Sequence, residues 1–551
     1  MTREDPRSCP AGTAVKARPF LTQDPKPPFV GKPWEDFTLA PFMAALDRIE
    51  HARRPPEQVI AELHSTQGTF ERRSRPAHPG LLAWTEAAVL RYLTAREAEE
   101  AEREASGAPR TYPVAEEWVA RTELRAPDAR GATLYERTAW GRRYVSLCGT
   151  VRELRLFSFG SATQERPSAE VAAAAYTAMF GEPCRPAAYG KPYVPVPTEE
   201  LPAARTVRPQ RVRVVAVGSG DGSSVVLADW DEEQVKQRFA EASVPALRRA
   251  VDAVDRRPAS DCSGCPAIAG CDALPRTTEL LGVPALPRRR KRRTVSVSDL
   301  RAHSSCPARY HLTRELNLRS PRPESEAVRR GRAVDDWLNE QHARRPHRPC
   351  APEPGPDTPE AWAARGFELG PEAARVASLM IAQHAWSCPL DGLAENEDVF
   401  VQRQVVAYDD PLDVIAIATP DLVHTLDSGV VWRETKTATK PPGRGRSLLR
   451  RWPQIALAVL LFDSGALGGD PARSRVELEF LYEHDTEVRG VDPGLKDVVD
   501  EARQVIRELA DPWSRDTSYT PRAGSECAAC EALDWCGPGL AHLAANPRHS
   551  S

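Results

Sequence analysis

Trp432-Arg-Glu-Thr-Lys-Thr437 ends a predicted β-strand that runs from Gly429 to Thr437. Glu434 and Lys436 are two residues apart in this stretch. Because side chains alternate between the two faces of a strand, both point to the same face. The stretch therefore predicts an acidic and a basic group side by side on one face of a sheet.

A second acidic residue precedes this strand. Asp421 ends a Thr-Pro-Asp step in a predicted strand from Asp413 to Leu426. If the two strands pair as a hairpin, Asp421 meets Glu434. Two carboxylates hold a hard divalent ion through oxygen, and such an ion polarises a phosphate and lowers the pKa of a bound water. Lys436 beside them can orient that water and offset the negative charge that develops. This set of side chains is what hydrolysis of a phosphodiester requires.

The neighbouring segments predict a mixed α/β domain. A strand from Asp398 to Tyr408 comes first, and a helix from Trp452 to Phe462 and a strand from Arg475 to Tyr482 follow. The predicted strands alternate or run apolar, and the helix repeats apolar residues at intervals of three and four. The resulting order is β, β, β, α, β.

Two of these segments resemble a known superfamily. Thr419-Pro-Asp-Leu-Val423 and Trp432 to Thr437 resemble the PD…(D/E)XK signature of restriction-endonuclease-like nucleases. The resemblance covers roughly Thr294 to Gly539. It implies a nuclease that hydrolyses DNA with Mg²⁺ or Mn²⁺.

Two helices resemble the RecB-like members of this superfamily. Gln454 begins a segment similar to their Gln-x3-Tyr helix, with Ala458 where Tyr is usual. Gly331 to Asp335 is similar to their Gly-x3-His helix, with Asp335 in place of His. Asp also binds a hard ion, so this departure changes the ligand; the alternative is that Asp335, like the adjacent Asp336, is simply solvated. The implied catalytic residues are Asp421, Glu434, Lys436 and Gln454, and the implied ligands of the divalent ion are Asp421, Glu434 and Asp335.

Two sets of cysteines share one spacing. Each half of the chain begins with Ser-Cys-Pro-Ala and ends with Cys-x2-Cys-x5-Cys. The sets are Cys9, Cys262, Cys265 and Cys271 in the first half, and Cys306, Cys527, Cys530 and Cys536 in the second. In a cytoplasmic protein, clustered cysteines indicate metal ligation rather than disulfides, and soft thiolates select iron–sulfur or zinc.

The second set resembles the cysteine cluster of AddB-type and CRISPR-associated RecB-like nucleases. The resemblance implies a [4Fe–4S] cluster that clasps the ends of the domain, with zinc as the alternative. The first set implies a second cluster of the same kind. The other cysteines show no ligand spacing and are interpreted as packing residues: Cys148, Cys184, Cys350 and Cys388.

The matched cysteines, strands and helices indicate an ancient duplication. The predicted fold is α/β, with two tandem restriction-endonuclease-like domains, each a mixed sheet flanked by helices and clasped by a four-cysteine site. Residues 1–286 form the first domain, residues 287–293 a basic linker and residues 294–551 the nuclease domain.

The first domain is predicted to be degenerate. Glu153 and Arg155 are aligned with Glu434 and Lys436, but the preceding strand offers no counterpart of Asp421. Arg stays protonated and forks its donors, so it substitutes poorly for Lys. A pseudo-nuclease of this kind either holds DNA or a partner, or only completes the fold.

Arginines after the catalytic strand predict contacts with a nucleic-acid backbone. They are Arg444, Arg446, Arg450 and Arg451. The basic stretch Arg288 to Arg293 either grips phosphates or is a solvated linker, and Trp452 either stacks on a base or packs in the core. DNA is the expected partner, and RNA stays open. The sequence has no Walker motif, so by analogy with RecB-like nucleases a helicase or ATPase would be a separate protein.

Composition favours a soluble cytoplasmic protein, with 41% hydrophobic and 27% charged residues and a net charge of −3. The longest apolar run, Ile455 to Phe462, is too short for a bilayer. A DNA nuclease acting in repair, recombination or defence against foreign DNA is the expected function. Because Glu-x-Lys also occurs on strands by chance, a non-catalytic nucleic-acid-binding scaffold with structural metal clusters is the alternative. Zinc-stapled RNA processing is a third interpretation.

Overall fold

The computed structural model describes residues 8–17, 34–65, 76–125, 132–187, 192–285, 290–320, 324–351, 354–441 and 447–546. The chain divides into two compact units. Unit 1 contains residues 1–32, 253–310 and 321–522, and unit 2 contains residues 33–252, 311–320 and 523–551.

Helices and strands are numbered along the chain. The helices are α1 (Pro10–Ala17), α2 (Leu39–Leu46), α3 (Pro56–Ser65), α4 (Pro79–Ala105), α5 (Ser168–Phe180), α6 (Ala203–Thr206), α7 (Glu232–Arg238), α8 (Val244–Asp252), α9 (Val297–Ser305), α10 (Pro307–Tyr310), α11 (Glu326–His342), α12 (Pro359–Ala363), α13 (Pro371–His384), α14 (Leu448–Arg451), α15 (Pro453–Asp463), α16 (Lys496–Arg515) and α17 (Gly537–Ala545). The strands are β1 (Thr111–Val114), β2 (Glu117–Arg125), β3 (Ala132–Arg137), β4 (Arg142–Ser146), β5 (Val151–Ser158), β6 (Glu182–Arg185), β7 (Val194–Pro195), β8 (Arg211–Gly218), β9 (Ser224–Asp231), β10 (Arg276–Thr277), β11 (Arg293–Val295), β12 (Val399–Val401), β13 (Val405–Asp409), β14 (Val414–Ala418), β15 (Leu422–Leu426), β16 (Gly429–Thr437), β17 (Arg475–Leu481) and β18 (Thr486–Val491).

The main sheet of unit 1 has the strand order β12-β15-β16-β17-β18. β16 and β17 are parallel, and the other neighbours are antiparallel. A parallel pair needs a crossover connection, which α14 and α15 provide. α15 starts at Pro453, whose missing N–H costs nothing at the first helical position. Residues 455–461 of this helix are all buried, which explains why the segment is apolar all round.

The main sheet of unit 2 has the strand order β1-β4-β5-β8-β9. β5 and β8 are parallel, the other neighbours are antiparallel, and α5 lies between β5 and β8 in the chain. The two main sheets therefore share the same strand order, the same directions and a helical crossover at the same step.

Each unit also contains a smaller sheet. In unit 1 its order is β10-β13-β14-β11, and in unit 2 it is β3-β2-β6-β7. With mixed sheets and helices in both units, the prediction of a mixed α/β fold is confirmed.

Two predicted strands are wrong in their extent, because each divides between the two sheets of unit 1. Residues 398–408 form β12 and β13, which Gln402 separates with a left-handed φ of 49°. Residues 413–426 form β14 and β15, with Pro420 in the break. Pro has no N–H to donate to a sheet, so it ends the pairing there.

The predicted linker, residues 287–293, lies inside unit 1. Arg292 Nε donates to Asp413 Oδ1 at 2.6 Å, and the Arg293 guanidinium lies 3.6 Å from the centre of the Trp513 ring. These contacts make the described part of the stretch, residues 290–293, a packed segment of a folded unit. Among the described helices, none has the length and apolar character needed to cross a membrane.

Candidate active site

The hairpin of β15 and β16 brings the acidic residues of the motif together. Leu422 pairs with Arg433 in this antiparallel ladder, so Asp421 and Glu434 come next to each other where the ladder ends. Lys436 Nζ lies 3.1 Å from Glu434 Oε2 and 3.6 Å from Asp421 Oδ2. One ammonium group is thus shared by two carboxylates.

A third carboxylate comes from α11. Gln402 Nε2 lies 3.2 Å from Asp421 Oδ1 and 3.5 Å from Asp335 Oδ1, so this single amide spans the two carboxylates. Asp336, in contrast, pairs with Arg365 at 2.8 Å. The structure therefore places Asp335, and not its neighbour, at the position where the helix motif predicts a ligand.

Hydrogen bonds fix the orientation of these carboxylates. The backbone N–H of Thr435 donates to Asp421 Oδ2 at 2.7 Å. Trp432 Nε1 donates to Glu434 Oε1 at 3.2 Å, and Asn339 Nδ2 donates to Asp335 Oδ2 at 3.1 Å.

The site holds more negative charge than its one lysine balances. Burial is the main reason that the pKa of Glu434 is raised to about 7. The negative charge of Asp421 adds to this rise, and the positive charge of Lys436 only partly opposes it. Burial and then Asp421 raise the pKa of Asp335 to about 6. Although burial alone would lower it, the pKa of Lys436 is raised by the adjacent carboxylates.

The other residues predicted for the site are the glutamine of α15, the tryptophan before it and the arginines after β16. Gln454 is half-buried in the first turn of α15, and no hydrogen bond of its side chain is among those described. The Trp452 ring packs against Phe480 at 5.0 Å between centres, so of its two interpretations the core position fits. Arg450 is paired with Glu508 at 2.9 Å, whereas Arg451 is exposed and covers the Trp452 ring. Arg444 and Arg446 lie outside the described residues.

Sequence reasoning missed Gln402 and Asn339, which hold the carboxylates. Gln402 belongs to no motif, and its position depends on the break between β12 and β13. Asn339 lies four residues after Asp335 on α11, so helical spacing was a usable signal.

The four cysteines of the first set lie close together in unit 1. All four line one small cavity: Cys9, Cys262, Cys265 and Cys271. Backbone N–H groups donate to two of the sulfurs, from Gly12 to Cys9 Sγ at 3.3 Å and from Ala259 to Cys262 Sγ at 3.4 Å. Such bonds are the usual support of thiolate ligands.

The second set has the same local structure. Cys527 accepts from Gly524 N at 3.4 Å, as Cys262 accepts from Ala259, and Cys306 accepts from Arg522 N at 3.3 Å. Cys306 belongs to unit 1, and the triplet that ends at Cys536 belongs to unit 2. The four-cysteine cluster of this set stays a prediction.

The predicted equivalence of Glu153 and Arg155 with Glu434 and Lys436 is wrong by one residue. In unit 2, Leu154 and Leu156 pack in one apolar cluster with residues of α5, the crossover helix. In unit 1, Lys436 is aligned with Phe480, which packs against Trp452 at the start of the crossover helix. Leu154 and Leu156 thus occupy the face that carries the active site in unit 1.

Glu153 and Arg155 point to the opposite face of their sheet, and they form a buried ion network. Glu153 is fully buried and pairs with Arg155 at 2.7 Å, and also with Arg213 and Arg103. Burial alone would raise the pKa of Glu153, but the three guanidinium groups lower it. A residue held in this way serves packing, and it offers no free oxygen to an ion.

A mixed sheet that presents Asp421 and a Glu-x-Lys pair on adjacent strands, faced by an acidic helix residue, is the arrangement expected of the nuclease motif predicted from the sequence. Residues 294–537 match the family model of the PD-(D/E)XK nuclease superfamily. The resemblance found in the sequence is therefore confirmed at superfamily level for this part of the chain.

Similar solved structures are distant. A candidate exonuclease from Eubacterium rectale shares 12% identity over 43% of this chain and 86% of its own, with a TM-score of 0.29. The protein SSO0001 shares 14% identity over 45% of this chain and 87% of its own, with a TM-score of 0.23. A search of curated proteins finds no match.

Proposed function

We propose that unit 1 hydrolyses phosphodiester bonds of DNA with Mg²⁺ or Mn²⁺ held by Asp421, Glu434 and Asp335. The observation that carries the proposal is the convergence of these three carboxylates with Lys436, within the part of the chain that matches a nuclease superfamily. A scaffold protein would not need this convergence.

The donor set fits a hard divalent ion. All three groups offer carboxylate oxygens, the ligands that Mg²⁺ and Mn²⁺ prefer. Burial, and to a smaller extent the charge of Asp421, disfavours the ionised forms of Glu434 and Asp335 and raises the pKa of both carboxyl groups, and Lys436 alone does not offset three carboxylates. A bound cation would supply that balance, and it would activate a water molecule and polarise the scissile phosphate.

The chain's own residues supply position and charge. Gln402 and the backbone N–H of Thr435 hold Asp421 in place, and Asn339 holds Asp335. Lys436, kept protonated by its two carboxylate neighbours, can orient the attacking water and stabilise negative charge on the phosphate. Gln454 lies in the first turn of α15, the helix that follows the site, and it would position the other groups of the site.

The nucleic acid would be bound by the arginines after β16. Arg451 is exposed and free of an ion pair among the described contacts, so it is a better candidate than Arg450. Arg444 and Arg446 complete the predicted set. Such contacts are to phosphate and carry no sequence preference. The RecB-like subtype, a role in repair, recombination or defence, and cooperation with a separate helicase rest on the sequence resemblance.

The two cysteine sets are proposed to hold [4Fe–4S] clusters that clasp the fold. The four sulfurs around the unit 1 cavity and the N–H groups directed at them support the first cluster. The shared spacing and local structure of the Cys527 triplet support the second. Both clusters would contribute folding free energy rather than redox chemistry.

The shared sheet order also supports the duplication, and the leucines of β5 support a non-catalytic unit 2. The direct test of the function is incubation of the purified full chain with Mg²⁺ or Mn²⁺ and with single- and double-stranded, linear and circular DNA, and RNA in parallel. Metal-dependent cleavage of DNA is expected. Binding without cleavage under all these conditions would favour the scaffold alternative.

A further inference from the structure

Four side chains lie close together inside unit 1. Two of them are cysteines that were predicted from the sequence to be packing residues, and the other two are histidines that belong to no predicted motif. The four residues are His342, Cys350, His384 and Cys388, and one ligand atom from each lies within 4.8 Å of all the others. All four residues are buried, with at most 7% of any of them exposed. Two imidazoles enclosed together with two thiols are an unusual content for a protein core, because a buried imidazole needs polar partners there.

The distances match a tetrahedral ion site. His342 Nε2 lies 3.1 Å from His384 Nε2 and 3.9 Å from Cys388 Sγ. Zn–N bonds of about 2.0 Å and Zn–S bonds of about 2.3 Å place the ligand atoms of a tetrahedral site roughly 3.3 to 3.8 Å apart. These two distances are close to the separations that one zinc ion imposes, and the other ligand atoms of the group lie within 4.8 Å of one another.

The surrounding contacts orient one ligand in the way metal sites do. His384 Nδ1 lies 2.9 Å from Glu479 Oε1, which leaves its Nε2 directed at the other three ligands. A metal-binding His characteristically gives its second nitrogen to a carboxylate in this manner. The backbone N–H of Cys350 also donates to Cys388 Sγ at 3.3 Å, which supports a thiolate.

We propose that His342, Cys350, His384 and Cys388 bind one structural zinc ion. Two thiolates and two imidazoles fill a closed tetrahedral shell, and full burial leaves no open position for a substrate. The mixed sulfur and nitrogen donors favour zinc over the iron–sulfur cluster expected of four cysteines.

The position of the ion would stabilise the catalytic geometry. His342 ends α11, two helical turns after Asp335, so the ion anchors the helix that carries the third carboxylate. Glu479 also accepts from Thr435 Oγ1 at 2.8 Å, and the N–H of Thr435 holds Asp421. The zinc site thus braces β16 from the face opposite Glu434 and Lys436.

Metal analysis of the full chain, expressed with both iron and zinc available, tests the proposal. We expect one zinc per chain in the wild type, and near-complete loss of that zinc with unchanged iron in Cys350→Ala and Cys388→Ala. Cys148→Ala is the matched control, because Cys148 is exposed and outside the group, and it should keep the zinc. Zinc content is measured without reference to cleavage, so this result is independent of the nuclease proposal.

If the two alanine variants do not fold, metal uptake by the wild-type protein still tests the proposal. After removal of zinc, Co²⁺ should produce the visible bands of a tetrahedral thiolate site, and His384→Cys should keep one equivalent of metal as a three-cysteine site. A wild type that takes up neither Zn²⁺ nor Co²⁺ would overturn the proposal. So would zinc that persists in Cys388→Ala, or a disulfide between Cys350 and Cys388 in the purified protein.

Discussion

The two main sheets have the same strand order, but they carry different side chains on corresponding faces. On the face toward the crossover helix, unit 1 presents Glu434 and Lys436, whereas unit 2 presents Leu154 and Leu156. The leucines fill an apolar cluster, so this fold is stable without the carboxylates. Burial of apolar side chains therefore suffices to maintain this strand order, while the candidate active site is present in one sheet and has no counterpart among the described residues of the other.

The opposite faces of the same sheets are more alike. Arg433 pairs with Glu477 across the parallel strands of unit 1, and Glu153 pairs with Arg213 across those of unit 2. Counted from the start of each parallel pairing, the two ion pairs occupy the same position with the charges exchanged. We infer that this buried pair is a structural feature of both sheets, and that only the helix-facing side has diverged in function.

The largest expected effect is on the helix-facing side of unit 1. Asp421→Ala and Lys436→Ala should each lower the rate of DNA cleavage by about 10³-fold or more, because each removes a charge that acts directly on the reacting phosphate or its ion. Circular dichroism and thermal melting should stay close to those of the wild type. Glu487→Gln, a change of a partly exposed glutamate on β18 outside the site, is the control. Cleavage by either site variant at the wild-type rate would contradict the assignment.

The equivalent experiment in unit 2 should alter stability and leave chemistry intact. Glu153→Gln removes the charge of the carboxylate that lies closest to the Arg213 guanidinium, at 2.5 Å against 4.0 Å for Asp229, and weakens the support of Arg155. Breaking one partner of a buried ion pair costs about 3–5 kcal/mol in unfolding free energy. Denaturant titration measures this loss. The cleavage rate per folded molecule should be unchanged, and a loss of cleavage in a fully folded variant would show that unit 2 takes part in catalysis.

Asp335 and Asp336 provide a matched pair on one helix. Asp335→Ala should weaken binding of Mn²⁺ and lower cleavage by roughly 100-fold, at least the upper end of the effect of losing an outer-shell partner, because it removes one of the three proposed carboxylate ligands. Asp336→Ala should change neither, because Asp336 is half exposed and pairs with Arg365. Calorimetric titration with Mn²⁺ separates the two residues. Equal effects of both substitutions would remove Asp335 from the site.

The smallest expected effect concerns pH. The pKa of Glu434 is about 7 and that of Asp335 about 6, so the folded metal-free site keeps protons that an unfolded chain has released. Its contribution to stability is therefore largest below the ordinary carboxyl range and is lost as the pH rises through 6 to 7. Because the ion must displace the proton of Glu434, Mn²⁺ affinity should fall about tenfold per pH unit between pH 7 and pH 6, and more steeply below pH 6, where Asp335 also holds a proton. Glu434→Gln should flatten this dependence, and an affinity independent of pH between 6 and 8 would contradict it.

Much of the active site was predictable because the superfamily motif is local. Asp421, Glu434 and Lys436 are adjacent in the hairpin, and the strand repeat alone puts two of them on one face. Asp335 was found through a helix motif, but only the contact of Asp336 with Arg365 decides between the two neighbours. The local motifs therefore predict the candidate ligands, and tertiary contacts are needed to distinguish a residue of the site from a solvated neighbour.

Other features were beyond a single sequence. The Glu-x-Arg spacing of Glu153 and Arg155 imitates the active motif, and a shift by one residue reverses the face of every side chain on a strand. The four buried His and Cys residues are separated by gaps of very different length, so no short motif announces them. In both cases the deciding information is which residues the fold places together.

We propose that every cut comes from the sheet of unit 1. Single-turnover cleavage of linear DNA by the full chain in Mn²⁺, comparing the wild type with Glu434→Gln at equal concentrations of folded protein, tests it most directly. Glu434→Gln preserves the shape of the side chain and removes the charge that would hold the ion. We expect product from the wild type and none from the variant within the same time. Cleavage by Glu434→Gln at a rate near that of the wild type would contradict the claim.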